Sequence, residues 1–140
     1  MRAPYTQLYL HCVWATWDRL PLITQGDVER SKYASILDKC RQLKCEVIAI
    51  GGSHDHIHLL VRLYTTIAVS RLLKEVKGSS SHLMTHEVKP GEFFKWQGAY
   101  GAFTVSKRDV SRVTAYIEGQ KDHHEREELW AEFEQTVVET

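Results

Sequence analysis

The stretch HDHIHLLV, His54 to Val61, decides how this chain is read. Histidine recurs at every second position in its first half, and apolar residues fill the second half. Side chains of a β-strand alternate between its two faces. With His56, Ile57 and His58 in a strand, both imidazoles share one face. Ile57, Leu59 and Val61 then enter a helix-covered core on the other. Two imidazoles at neighbouring same-face positions can meet one metal ion, and imidazole suits borderline divalent metals. His54 shares their side but falls where a turn ends. Two plainer readings stand beside this one. The histidines could be a hydrogen-bonded cluster on an exposed sheet. They could also bind zinc, although a structural zinc site wants four closed ligands, and the cysteines do not offer them nearby in sequence.

Working outward, Glu46 to Gly51 reads as a strand ended by Gly51-Gly52, close enough to the strand at Ile57 to Leu63 for a hairpin. Upstream, Leu8 to Trp17 (LYLHCVWATW) has the β-branched and aromatic alternation of a strand. Asp27 to Leu43 places Val28, Tyr33, Ile36, Leu37 and Leu43 on roughly one helical face. Downstream, Thr66 to about His86 predicts a long helix with Ile67, Leu72, Leu73, Val76, Leu83 and Met84 inward. Pro90-Gly91 breaks the chain, and Gly98 to Val105 predicts a fourth strand. Ser106 is a candidate N-cap with Asp109 at the third helical position, close to a capping box. That helix runs through Val110, Val113 and Ile117 to about His123, and Glu127 to Val137 predicts a last helix. The order β-α-β-β-α-β plus C-terminal helix predicts an α+β fold. It is a ferredoxin-like split βαβ, an antiparallel sheet with two helices on one face. The 140 residues fit one domain, residues 1–140.

Bulk properties narrow the function classes. No apolar run is long enough to span a membrane, and the N-terminus lacks the continuous apolar segment of a signal peptide. The three cysteines, Cys12, Cys40 and Cys45, have no metal-like spacing and predict reduced thiols in the cytoplasm. Net charge is zero, but from Glu125 to Thr140 six glutamates face one arginine, a net of −5, so the preceding residues carry +5. A mildly basic body is compatible with nucleic-acid binding. A neutral total argues against coating DNA without selection, which is mainly phosphate neutralisation.

A second constellation is TAYIEGQKDHH, Thr114 to His124. Tyr116 and Gln120 are four residues apart and share one helical face. Gln120 offers an amide oxygen as a third metal ligand. Tyr116 offers a phenol, a nucleophile when its developing charge is stabilised; its plainer reading is a half-buried helix residue with a wet hydroxyl. Taken with the histidine pair, these are the parts of phosphodiester transfer. A metal polarises the phosphate, tyrosine attacks phosphorus, a 3′-hydroxyl leaves, and a 5′-phosphotyrosine bond forms. No Walker loop is present to bind a nucleotide triphosphate.

The sequence resembles the HUH-superfamily single-tyrosine transposases of small bacterial insertion sequences, and their relatives that act on repetitive extragenic palindromes. Asp55-His56-Ile57-His58-Leu59-Leu60-Val61 carries the histidine–hydrophobic–histidine motif. Gln97 to Ser106 resembles the last strand and cap, Tyr116 to Gln120 the nucleophile and third ligand, and the opening HCVWATWDRLPLI the first strand and turn. The resemblance covers nearly the whole chain. It implies a ferredoxin-like fold and a homodimer in which each tyrosine helix can complete the partner's metal site. It also implies Mg²⁺ or Mn²⁺ dependence and single-stranded DNA hairpins as substrate. His54, ahead of the motif, departs from the pattern as an extra ligand or a local acid–base group.

Arg71, Lys74 and Lys77 on the long helix, and Lys107, Arg108 and Arg112 around the start of the tyrosine helix, are candidate phosphate contacts. Tyr100 or Trp96 could stack an unpaired base; for any single cation the plain alternative is a solvated helix face. Three rival readings remain at this level. One is a domesticated nuclease of palindromic repeats. Another is a catalytically silent module that binds single-stranded hairpins, and the third a small-molecule-binding ferredoxin-like domain.

Overall fold

A computed structural model describes residues 3–24, 26–119, 134 and 136. Its elements in chain order are β1 (Tyr9–Ala15), α1 (Asp27–Gln42), β2 (Glu46–Gly52), β3 (His56–Arg62), α2 (Val69–Leu83), β4 (Gly101–Val105) and α3 (Val110–Glu118). The four strands form one antiparallel sheet in the order β2-β3-β1-β4. That is the expected ferredoxin-like arrangement, with β1 and β3 central and β2 and β4 at the edges.

Strand β3 is buried on both faces, which sets the whole architecture. Ile57, Leu59 and Val61 join Leu10, Cys12 and Trp14 of β1 under the α1–α2 pair. Leu60 points the other way and packs with Ala49 of β2 and with Val113 and Ile117 of α3. Each fully buried aliphatic side chain contributes about 1.5–3 kcal/mol, so two opposed apolar layers clamp the strand. The period-two expectation places Ile57 correctly. The face that carries His56 and His58 is covered by α3, and both histidines are buried.

The register that brings α3 to this face depends on β2. A β-bulge interrupts β2 between Val47 and Ala49, so Val47 pairs with Val61 while Ala49 pairs with Leu60 and Gly51 with His58. The extra residue switches the parity of the strand, and Gly51 thereby shares the face of His58. A Cβ on Gly51 would sit 2.3 Å from the Ile117 carbonyl oxygen. Gly51 is therefore the point where the α3 backbone rests directly on the sheet, a contact that no side chain permits.

Several boundaries differ from the sequence expectation. The helix expected from Thr66 starts at Val69, because Ala68 is extended (φ −76°, ψ 146°). It widens into a π-turn over Met84–Val88. The fourth strand begins at Gly101 rather than Gly98. Ser106 heads a short 3-10 turn, Lys107–Asp109, and α3 follows from Val110. The Ser106 hydroxyl donates to Asp109 Oδ2 at 3.0 Å in place of a backbone cap. The part of the tyrosine helix expected beyond residue 119, and most of the expected Glu127–Val137 helix, lie outside the described residues. Cys12, Cys40 and Cys45 are free and buried, and among the described residues no helix is long and apolar enough to cross a membrane.

One buried group is not accounted for by packing alone. Lys32 on α1 is fully buried, with Nζ 3.6 Å from the centre of the Phe94 ring and 4.5 Å from that of Trp96. The aromatic faces offset part of the lost hydration. Burial still dominates and pushes the amine down to about 6 from its ordinary 10.5. The unfolded chain therefore binds the extra proton between these values. Stability should rise with pH from about 6 to about 10.5. We expect Lys32→Met to raise neutral-pH stability by about 1–3 kcal/mol and to flatten that slope, as measured by urea denaturation at several pH values. Gly51→Ala should destabilise by about 1–3 kcal/mol through overpacking and loosen α3, as read from amide exchange across Val110–Glu118; unchanged protection there would refute the contact.

Candidate active site

His56 and His58 project from β3 toward α3, with ring centroids 5.0 Å apart and ring planes at 79°. Each ring has its Nδ1 tied to the protein and its Nε2 turned toward a common space. His56 Nδ1 lies 2.8 Å from Asp55 Oδ1 and 3.0 Å from Ser53 Oγ. His58 Nδ1 lies 2.8 Å from Nε2 of His11, on β1. Across the common space stands Glu134. Its Oε2 is 2.5 Å from His58 Nε2, and its Oε1 is 3.4 Å from His56 Nε2. One ligand atom from each of His56, His58 and Glu134 falls within 4.8 Å of the others.

Two imidazoles and one carboxylate are a mixed nitrogen and oxygen donor set, which fits a divalent cation with positions left open for substrate. The carboxylate is held ionised: burial alone would raise its pKa, but hydrogen bonds and charge from His56 and His58 bring it well below the usual carboxylate range. Burial likewise opposes ionisation of Asp55. The hydrogen bond to His56, the charges of His56 and Arg19, and the Ser53 hydroxyl overcome it and lower Asp55 to about 2.

Arg19 reaches Asp55 at 3.5 Å from an unusual turn. Asp18 and Arg19 are consecutive non-glycine residues with φ of 53° and 54°. Such left-handed backbone costs of order 1 kcal/mol or more per residue and persists only where its surroundings hold it. Here Thr16 N–H donates to the Asp55 carbonyl at 2.8 Å, Ile23 N–H to the His54 carbonyl at 2.9 Å, and Trp17 N–H to the Lys95 carbonyl at 2.9 Å. The turn after β1 is thus fastened to the residues that precede the histidine pair.

Tyr116 on α3 is buried, and its ring meets that of its own chain's His58 edge-on at a centroid distance of 5.8 Å. The structure therefore unites three of the residues singled out in the sequence: His56, His58 and Tyr116. Tyr116 is buried rather than half-wet, because α3 lies flat on the sheet through Gly51. Gln120, the expected third ligand, lies outside the described residues. The third donor brought to the pair is Glu134, which sequence reasoning counted only as part of an acidic tail. His54 is exposed in the turn.

The expected DNA contacts divide. Lys107, Arg108 and Arg112 are exposed on the α3 side of the sheet. Arg71 and Lys74 are exposed on α2, on the opposite side. Lys77 is half-buried, and its ammonium donates to the Gln97 carbonyl at 2.7 Å, so it serves the fold rather than an open phosphate site. Trp96 is not a stacking platform: it is buried, and its indole N–H donates to Ser80 Oγ at 3.0 Å. Tyr100 is half-buried against the α1–α2 core. The exposed aromatic near the site is Trp17, with the Lys95 ammonium 4.2 Å from its ring centre. The sequence hid this inversion because Trp17, between Thr16 and Asp18, and Trp96, between Lys95 and Gln97, both have polar neighbours.

Comparison with known proteins follows the same lines. The family described as Transposase IS200 like matches residues 4–120. A protein of Deinococcus radiodurans R1, whose crystal structure carries a provisional transposase assignment, superposes with a TM-score of 0.68 at 25% identity, over 86% of this chain and 95% of that one. A structure of a REP-associated tyrosine transposase bound to a REP hairpin superposes with a TM-score of 0.66 at 17% identity, over 89% of this chain and 72% of that one. No curated protein matches the chain. Asp55→Asn weakens the acceptor that fixes the His56 ring; we expect it to lower Mn²⁺ affinity about 10–100-fold, measured by titration calorimetry.

Proposed function

This chain belongs to the IS200-like transposase family, and on that footing we propose that it cuts and rejoins single-stranded, hairpin-marked DNA through Tyr116. The observation that carries the reading is the meeting of Tyr116 with His58 beside the His56–His58–Glu134 donor set. In this reading His56, His58 and Glu134 hold a divalent ion, Mg²⁺ or Mn²⁺, with Gln120 as a further candidate ligand. The bound ion would polarise the scissile phosphate and stabilise charge on its oxygens.

The rest of the chemistry belongs to the chain. The Tyr116 hydroxyl oxygen attacks phosphorus in line with the leaving 3′-oxygen. The P–O3′ bond breaks, a tyrosine–phosphate bond forms on the 5′ side, the phenol proton passes to solvent at the site, and the leaving 3′-oxygen takes a proton from solvent to become a 3′-hydroxyl. A phenol ordinarily titrates near 10, so attack depends on the polarised phosphate rather than on free phenolate. The reverse attack by a 3′-hydroxyl rejoins the strand. Bond energy is kept in the phosphotyrosine, and no nucleotide triphosphate is consumed. β3 and α3 hold the reacting groups in one geometry, which is the main service a protein renders to such a displacement.

Lys107, Arg108 and Arg112 take the phosphates that flank the cut, and Trp17 beside Lys95 stacks an unpaired base. Arg71 and Lys74 take duplex phosphates of a hairpin that wraps past the sheet. Likeness of fold to a hairpin-bound REP-associated transposase supports a hairpin substrate. The chain acts as a homodimer, joined through the open sheet edges β2 and β4. Its subunits share their sites, as the family resemblance implies, or keep Tyr116 with the histidine pair of its own chain, as in their contact here.

The test is incubation of the protein with labelled single-stranded hairpin DNA and Mn²⁺, followed by a denaturing gel. Wild type should give a cut strand and a protein–DNA adduct whose mass maps to Tyr116. Tyr116→Phe should lose both while keeping fold and hairpin affinity. His56→Ala and His58→Ala should lose cleavage and keep most binding. A nucleotide found on Tyr100, or cleavage surviving in Tyr116→Phe, would overturn the assignment. Binding without any adduct in wild type would favour a silent hairpin-binding module.

A further inference from the structure

We propose that His11 is a positioning residue for the metal site: its imidazole sets which nitrogen of His58 carries the proton, and so whether His58 can act as a ligand. The inference rests on the reading of His56 and His58 as metal ligands and goes beyond it by assigning a role on β1.

The two candidate ligands are supported unequally. His56 Nδ1 faces Asp55 Oδ1 at 2.8 Å. A carboxylate only accepts, so Nδ1 carries the proton and Nε2 keeps its lone pair. His58 differs at both nitrogens. Its Nδ1 faces another imidazole, His11 Nε2, at 2.8 Å, and its Nε2 lies 2.5 Å from Glu134 Oε2. Nε2 thus faces the space shared with His56 and Glu134, and the partner of Nδ1 decides which nitrogen carries the proton.

A lone pair on His58 Nε2 requires the proton on Nδ1, and His11 Nε2 must then accept it. The opposite arrangement, with His11 Nε2–H donating to His58 Nδ1, puts the proton on Nε2 and removes the ligand. A neutral imidazole can be either donor or acceptor at one nitrogen, according to its tautomer. A carbonyl, carboxylate or ammonium at position 11 would allow only one of the two states. The ring is held for this task. It is fully buried, it stacks on His58 at 5.1 Å with 29° between planes, and Phe103 of β4 stands 5.8 Å away. Bulk water therefore cannot replace it.

The experiment uses the full chain in two measurements. With ¹⁵N-labelled histidine, long-range proton–nitrogen correlation spectra should report His58 as the Nδ1–H tautomer with Mg²⁺ bound. Titration calorimetry with Mn²⁺ should show His11→Phe, which can neither donate nor accept, weakened about 10–100-fold. His11→Gln, whose amide can do either, should stay close to wild type. Loss of affinity in His11→Phe and His11→Gln alike, or His58 found as Nε2–H with Mg²⁺ bound, would leave only a packing role and overturn the inference. So would a His11→Phe chain that binds Mn²⁺ as wild type does. A wild-type chain that binds neither ion overturns the metal-site reading itself, a result distinct from either.

Discussion

Everything in this molecule depends on β3 being buried on both faces. An edge or half-exposed strand would carry His56 and His58 into water, where imidazoles are mobile and share their nitrogens with solvent. Between two apolar layers the strand cannot slip, because a shift of one residue would exchange Ile57, Leu59 and Val61 with His56, His58 and Leu60. The site inherits its precision from that penalty. The hydrophobic cores are thus part of the catalytic apparatus without touching a substrate.

Burying imidazoles next to a carboxylate has a cost, since a polar group removed from water needs a partner. The structure meets it with a chain of contacts on each side. Arg19 holds Asp55, and Asp55 holds His56. His11 holds His58, with Phe103 behind it. The strained turn at Asp18 and Arg19 makes sense in this setting, as the means of delivering a guanidinium to Asp55 from the end of β1. Burial lowers the pKa of His11 to about 3, with the neighbouring His58 adding to the fall and Glu134 opposing it, so His11 stays neutral at ordinary pH. A neutral ring can be donor or acceptor, whereas an imidazolium could only donate.

The surface shows a different logic. Among the described residues, exposed cations stand on both sides of the sheet, with Lys107, Arg108 and Arg112 beside α3 and Arg71 and Lys74 across the domain. The exposed Trp17 lies close to the residues that orient His56.

The grouping of His56 and His58 with Tyr116 rested on the family resemblance. The sequence alone determined the order of elements and, through the period of two along β3, the shared face of His56 and His58. It could not determine what the period leaves open. Val47 and Gly51 are four residues apart and on that count belong to one face, yet the bulge puts them on opposite faces. Nothing local shows that Gly51 must be bare because a carbonyl of α3 arrives there, nor that Trp96 turns inward to Ser80 while Trp17 turns out. Lys77 resembled a free phosphate ligand until Gln97 was brought to it. Glu134 and His11 lie 76 and 47 residues from His58 in the chain's numbering. Their meeting is a long-range event, fixed only when two sheet faces and a helix close around one strand.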